Sequence, residues 1–228
     1  MADAPSPVTF RGFPSEAIQF YEGLALDNSK AYWQANKPRY ETFVRAPMVA
    51  LLDELGEFGP FHIFRPYNDV RFAKNKPPYK EGIGAYGESE GGTGFYVGLS
   101  ADGLIAGSGY YNMATDQLER FRQAVDDEHR GTEIVAIVDA LHRADLTTGA
   151  MSELKTAPRG YPKDHPRIGL LRRKGLVASR RWSVAGWLHT RKAADRVRAT
   201  WEAARDMNAW LDLHVGPSQL APDDAERF

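Results

Sequence analysis

The chain has 228 residues, 43% hydrophobic and 11% aromatic, so it can bury a core and is neither disordered nor fibrous. It has no cysteine, which excludes a disulfide scaffold, a thiol nucleophile and a zinc site built on thiolates. Its formal net charge is −1, from 29 basic and 30 acidic residues, and that balance by itself selects no partner.

Along the chain, the first quarter reads as helical. Ser15 starts a short helix with Ile18, Tyr21 and Leu24 on one face, and Asn28 or Ser29 caps a second. Tyr40, Phe43, Val44, Leu51, Leu52 and Leu55 continue the stripe, with Pro38 and Pro47 expected to start or kink turns within it. Gly56 and Gly59-Pro60 stop the helix. The period then changes. Residues 61–64 read as a short strand, and residues 94–111 as a β-hairpin turning at Ala101-Asp102-Gly103. Residues 74–93, rich in glycine, proline and charge, read as a long loop.

Two central helices follow, marked by Leu118, Phe121 and Val125 and by Ile134, Ile137, Val138 and Leu141, with Gly131 between them. Residues 151–155 and 176–182 are strand candidates around a turn over 158–166. An amphipathic helix from about Thr190 carries Val197, Trp201, Ala204 and Leu211 on one side. The pattern predicts an α+β single domain over 1–228, a mainly antiparallel sheet flanked by N-terminal, central and C-terminal helices. Its ordered core spans about 10–215, with a frayed tail from about 216.

The opening residues lack the basic and apolar regions of a signal peptide, and no apolar run reaches the ~18 residues of a membrane span. The expectation is a cytoplasmic protein with no membrane partner; oligomeric state is not readable. Two catalytic patterns match by letter only. Gly82-Ile83-Gly84-Ala85-Tyr86-Gly87 lacks the preceding strand and following helix of a dinucleotide fingerprint. Gly87-Glu88-Ser89-Glu90-Gly91 lacks the strand–turn–helix of a nucleophile elbow. The six histidines show no metal-binding spacing, so neither a metal nor a cofactor is predicted.

The charge is segregated. Residues 65–80 hold five basic residues against Asp69 alone, and residues 155–181 hold nine against Asp164. In the first island, Arg65, Asp69 and Arg71 interleave with Phe64, Tyr67, Phe72 and Tyr79, while Pro77 and Pro78 stiffen the presentation of Lys76 and Lys80. In the second, Pro158-Arg159-Gly160-Tyr161 is a turn, and Asp164-His165-Pro166 opens a short helix whose N-terminus favours a neutral His165 ring.

On these residues the sequence resembles the family catalogued as Domain of Unknown Function 2461. The likeness lies in Phe13, Phe20, Leu24, Asn28, Lys30, Trp33 and Tyr40, then in Phe64-Arg65 through Asp69-Val70-Arg71-Phe72 to Lys76, Pro78, Tyr79 and Lys80. It continues in Leu154-Lys155, Pro158-Arg159-Gly160-Tyr161, His165-Pro166 and Leu170-Leu171. Ala73, Asn75 and Pro77 depart from the family's polar pattern. The resemblance implies a shared fold and a shared site and carries no function with it.

The residues support a site for a small anionic, phosphate- or carboxylate-bearing ligand, bound by Arg65, Arg71, Lys76, Tyr79, Lys80 and Arg159. Were the site catalytic, His165 would be the acid–base, with Asp69 or Tyr161 orienting it. Two other readings stand beside it: ion pairs that only fix the loops, and a nucleic-acid module, against which the pI of about 6.6 counts. An interaction surface around Trp182, Trp187, Trp201 and Trp210 competes with a plain core role for those residues.

Overall fold

A computed structural model describes residues 9–69, 76–89 and 91–220. Helix α1 spans Ser15–Leu26 and α2 spans Lys30–Arg39, capped by the Ser29 hydroxyl, which accepts from the Tyr32 amide at 3.1 Å. A π-helical stretch, Tyr40–Arg45, joins α2 directly to α3, Ala46–Glu54. The prolines therefore do not break this helix. The extra residue is taken up in the π stretch, where the Ala46 amide donates to the Glu41 carbonyl.

Strand β1 spans Phe61–Ile63, β2 Gly82–Glu88, β3 Gly94–Ser100 and β4 Gly103–Tyr110. Helices α4, Thr115–Asp126, and α5, Glu128–Arg143, are followed by β5, Thr147–Gly149. A one-turn helix α6, Ile168–Leu171, precedes β6, Leu176–Ser183, and the chain closes with α7, Lys192–Ala203, and α8, Arg205–His214. The strands form one antiparallel sheet in the order β1-β2-β3-β4-β6-β5, and the class is α+β, as the change of period predicts.

Several boundaries differ from the sequence reading. Strand β2 lies inside the stretch read as a loop. It pairs with β1 in the register Phe61↔Gly87, His62↔Tyr86 and Ile63↔Ala85. Its glycines weaken the strand signal but admit rings: a Cβ on Gly87 would meet the Phe61 ring at 2.7 Å. Helices α4 and α5 part at Asp127, whose side chain accepts from the Arg130 amide at 2.9 Å, and not at Gly131. Glycine is needed inside α5 because a Cβ there would run into the Val125 carbonyl and lie 2.5 Å from Arg167 Nε. The candidate strand at 151–155 reduces to a single bridge, Glu153↔Arg173.

By internal contacts the chain divides into two compact units. Unit 1 takes residues 1–87, 96–106 and 181–199; unit 2 takes 88–95, 107–180 and 200–228. The boundaries fall inside β3, β4, β6 and α7, so no compositional linker marks them. Unit 1 buries Phe10, Phe13, Phe20, Tyr21, Leu24 and Trp33, with Phe20 edge-on to Trp33 at 5.8 Å. Unit 2 buries Phe121, Ile134, Leu171, Trp210 and Leu211 in one cluster. Trp201 and Trp210 are thus core residues, and Trp187 instead carries the Arg196 guanidinium at 4.5 Å from its ring.

Of the tail expected from about 216, residues 221–228 lie outside the described residues, and residues 216–220 are bonded to α4. Ser218 Oγ and the Gln219 amide each donate to the Asp116 carboxylate at 2.8 Å, and Arg120 donates to the Pro217 carbonyl at 2.9 Å. Burial alone would raise Asp116, but hydrogen bonds from Gln219, Ser218, Arg120 and the Gln117 amide hold it at about 2.

Candidate functional site

The first island is built on two extended arms within unit 1. Phe64 donates its amide to Gly84, Asn68 to Pro78, and Lys80 to Pro66, at 2.9, 2.9 and 2.8 Å. Tyr67 and Tyr79 face each other across a bridge, so Arg65 and Lys80 stand on neighbouring arms. The second arm is anchored from α2's start. Asn28 donates Nδ2 to the Tyr79 carbonyl and accepts the Tyr79 amide at Oδ1, both at 3.0 Å. The Tyr79 ring stacks on Trp33 at 4.5 Å and 9°. Tyr79 is accordingly buried, and its part is to fix the backbone that presents Lys80.

Against these arms lies a cleft of about 620 Å³. Its cations are Lys37 and Arg45 from the α2–α3 helix and Arg65 and Lys80 from the arms. Trp33, Tyr40, Phe64 and Tyr67 supply its apolar surface, and His62 stands on its edge strand β1. Among the described lining residues Glu41 is the one carboxylate, 3.9 Å from Arg45 on an exposed helical turn. Among the described residues Lys37, Arg65 and Lys80 have no carboxylate partner. The Lys80 ammonium lies 5.2 Å from the Phe64 ring centroid. Burial, with the Arg65 and Lys76 charges added, holds it below the usual lysine range. Burial, reinforced by Glu41, pushes the Tyr40 phenol up to about 12, so it remains a protonated donor. Trp33 is 4% exposed, and its indole N–H has no acceptor among the described residues.

Lys37, Arg45, His62 and Trp33 were not in the sequence-derived site. Trp33, Lys37, Glu41 and Arg45 recur every four residues, a spacing that drifts around a straight α-helix. The π stretch compensates for that drift, and nothing in the residue types announces it.

A smaller pocket of about 220 Å³ adjoins the cleft, sharing Phe64 and Lys80 with it. Gly82, Gly84, Tyr96, Gly98, Ile105 and Arg181 are among its lining residues. Arg181 is the member of the second island that belongs to unit 1.

The remaining predicted residues are placed as follows. Lys76 is exposed at the start of the second arm and Asp69 is half-buried at the end of the first. Arg71 lies outside the described residues. Arg159, Tyr161 and His165 belong to unit 2. Arg159 is exposed in the 158–161 turn, where the Tyr161 amide donates to Pro158 at 3.2 Å. Burial and the nearby Asp126 raise the Tyr161 phenol. His165 accepts the Arg167 amide at Nδ1, 3.0 Å, which leaves the proton of the neutral ring on Nε2, 3.1 Å from Asp126. Both ring nitrogens are engaged within unit 2.

The other arginines of that island are spent similarly. Arg172 Nε donates to the Leu154 carbonyl at 2.6 Å, and Arg167 to the Asp126 carbonyl at 2.9 Å and the Glu128 carboxylate at 3.3 Å. Arg180 donates to the carbonyls of Asp145 and Ala144. Unit 2 also has a groove of about 700 Å³ lined by α5 and α8, but it is alanine-rich and carries two carboxylates and one histidine. No cluster of three or more metal-ligating side chains occurs among the described residues, and no described helix is long and apolar enough to cross a membrane.

The fold and cleft define an α+β protein with a cationic, aromatic-walled pocket on one of its units. A family model for conserved hypothetical proteins, Domain of Unknown Function 2461, matches residues 16–210, and the chain belongs to that family. No curated protein and no solved structure matches it.

Proposed function

We propose that this protein binds a small phosphate- or carboxylate-bearing molecule in the cleft of unit 1. The supporting observation is that Lys37, Arg65 and Lys80 face one cleft without carboxylate partners among the described residues. Cations held close together repel one another, and a bound anion turns that repulsion into attraction. The Arg65 fork suits two oxygens of one phosphate or carboxylate, whereas the lysines act as point charges. Trp33 and Tyr40 wall the apolar side, where the Tyr40 phenol stays protonated.

Calorimetric titration with inorganic phosphate, a phosphomonoester and a dicarboxylate tests this reading. Saturable binding of at least one is expected, weakened about tenfold or more by Arg65→Ala or Lys80→Met with the fold retained. Absence of binding by every anion, or affinities untouched by both substitutions, overturns it.

A second reading has one observation in its favour. Phe64 and Tyr67 are 38% and 46% exposed beside the same cations, an arrangement suited to stacking the bases of a single strand. Oligonucleotide binding that weakens steeply with salt, and that tightens with strand length, would favour it over a small ligand.

A further inference from the structure

The smaller pocket differs from the cleft in chemistry. Gly82, Gly84 and Gly98 line it beside Phe64, Tyr96 and Ile105, so aromatic and aliphatic side chains of neighbouring strands pack over its glycines. The Tyr96 hydroxyl end lies over two of those glycines: a Cβ on Gly84 would meet it at 2.9 Å and one on Gly98 at 2.6 Å. The Phe64 and Tyr96 rings are 6.4 Å apart and tilted by 30°, so an aromatic pair lines the pocket. The two rings offer aromatic surface on which a planar ring stacks, with Lys80 and Arg181 as the cations beside it. Lys80, shared by the two spaces, ties the position of an anion to the position of that ring.

Resting on the anion reading above, we infer that the ligand is bipartite: an anionic head held by Arg65, Lys80 and Lys37, and a planar aromatic body lying in the smaller pocket against Tyr96 and Phe64. The substrate class is an aryl or heteroaryl phosphate or carboxylate. The Ser100 hydroxyl, which accepts the Asp102 amide at 3.2 Å, stands on the pocket wall as a polar contact for a ring substituent.

Three probes separate the two halves: inorganic phosphate, methyl phosphate and phenyl phosphate. Phenyl phosphate is expected to bind about tenfold more tightly than methyl phosphate, the worth of roughly one stacked ring. Tyr96→Leu should remove that preference and leave inorganic phosphate binding unchanged. Gly84→Ala, which crowds Tyr96 and Phe64, should do the same, so one variant decides if the other does not fold. Equal affinities for the phenyl and methyl esters in the unaltered protein overturn the bipartite assignment and leave anion binding standing. A preference that survives in both folded variants also overturns it. Failure of all three probes to bind removes the anion reading and this inference together.

Discussion

Residues 65–80 and 155–181 carry the same kind of side chain in different circumstances. In the second stretch Arg167, Arg172 and Arg180 donate to backbone carbonyls that their own segment or its neighbours leave open. Between residue 155 and the start of β6 at Leu176 the regular elements are a four-residue helix and a single bridge, and the Arg167 and Arg172 contacts tie that segment down. Lys155, Arg159 and Lys163 of the same stretch are exposed. In the first stretch, hydrogen bonds between the arms, together with Asn28, meet the backbone requirement. Arg65 and Lys80 are thereby released from structural duty and stand at a cleft. Positive charge in a sequence therefore points to a ligand only after the backbone has found other donors.

The comparison breaks if the two islands respond alike to truncation. Arg172→Ala leaves the Leu154 carbonyl without its charged donor and should cost about 1.5–3 kcal/mol in chemical denaturation. Arg65→Ala, exposed and unpaired, should stay within about 0.5 kcal/mol while weakening phosphate binding. A loss of stability with Arg65→Ala equal to that with Arg172→Ala would return the first island to the loop-fixing reading.

A pH series sharpens the functional side. Lys80 gives up its proton below the usual lysine range, and a phosphomonoester is fully dianionic above about pH 8. Affinity should therefore be retained at neutral pH and fall as pH rises through the lowered lysine value. In Lys80→Arg the charge persists and that fall should disappear. A fall of the same size in both proteins would assign the titration elsewhere.

The smallest effect is expected at His165. Removing the Nδ1 acceptor and the Asp126 contact in His165→Ala should lower stability by about 1 kcal/mol and leave phosphate affinity in calorimetry unchanged. Weakened phosphate binding in a folded His165→Ala protein would tie the second island to ligand binding after all.

Much of the fold was legible because its signals are local. Ile18, Tyr21 and Leu24 mark α1, alternation and the 101–103 turn mark β3 and β4, and Ser29 caps α2. Strand β2 was missed because glycine lacks the side chain that makes a strand visible in sequence. What compensates is supplied by Phe61 and Tyr96, which lie in other strands. Of the site, Arg65 and Lys80 were found from composition and interleaved aromatics. Lys37 and Arg45 look like the solvated face of a helix, and only the π stretch and the packing of Trp33 on Tyr79 set that face along the cleft.

By itself, the sequence determined the α+β class, the segregation of charge into two stretches and the family. Each of these rests on residue type and on spacing within a few turns or strands. The tertiary structure decided which cations are used up and which remain available. That depends on whether a particular carbonyl, tens of residues away, already has a donor, as Leu154 has in Arg172 and Tyr79 has in Asn28. Hydrogen-bond satisfaction is a property of the folded chain as a whole, so a net charge of −1 could not report it.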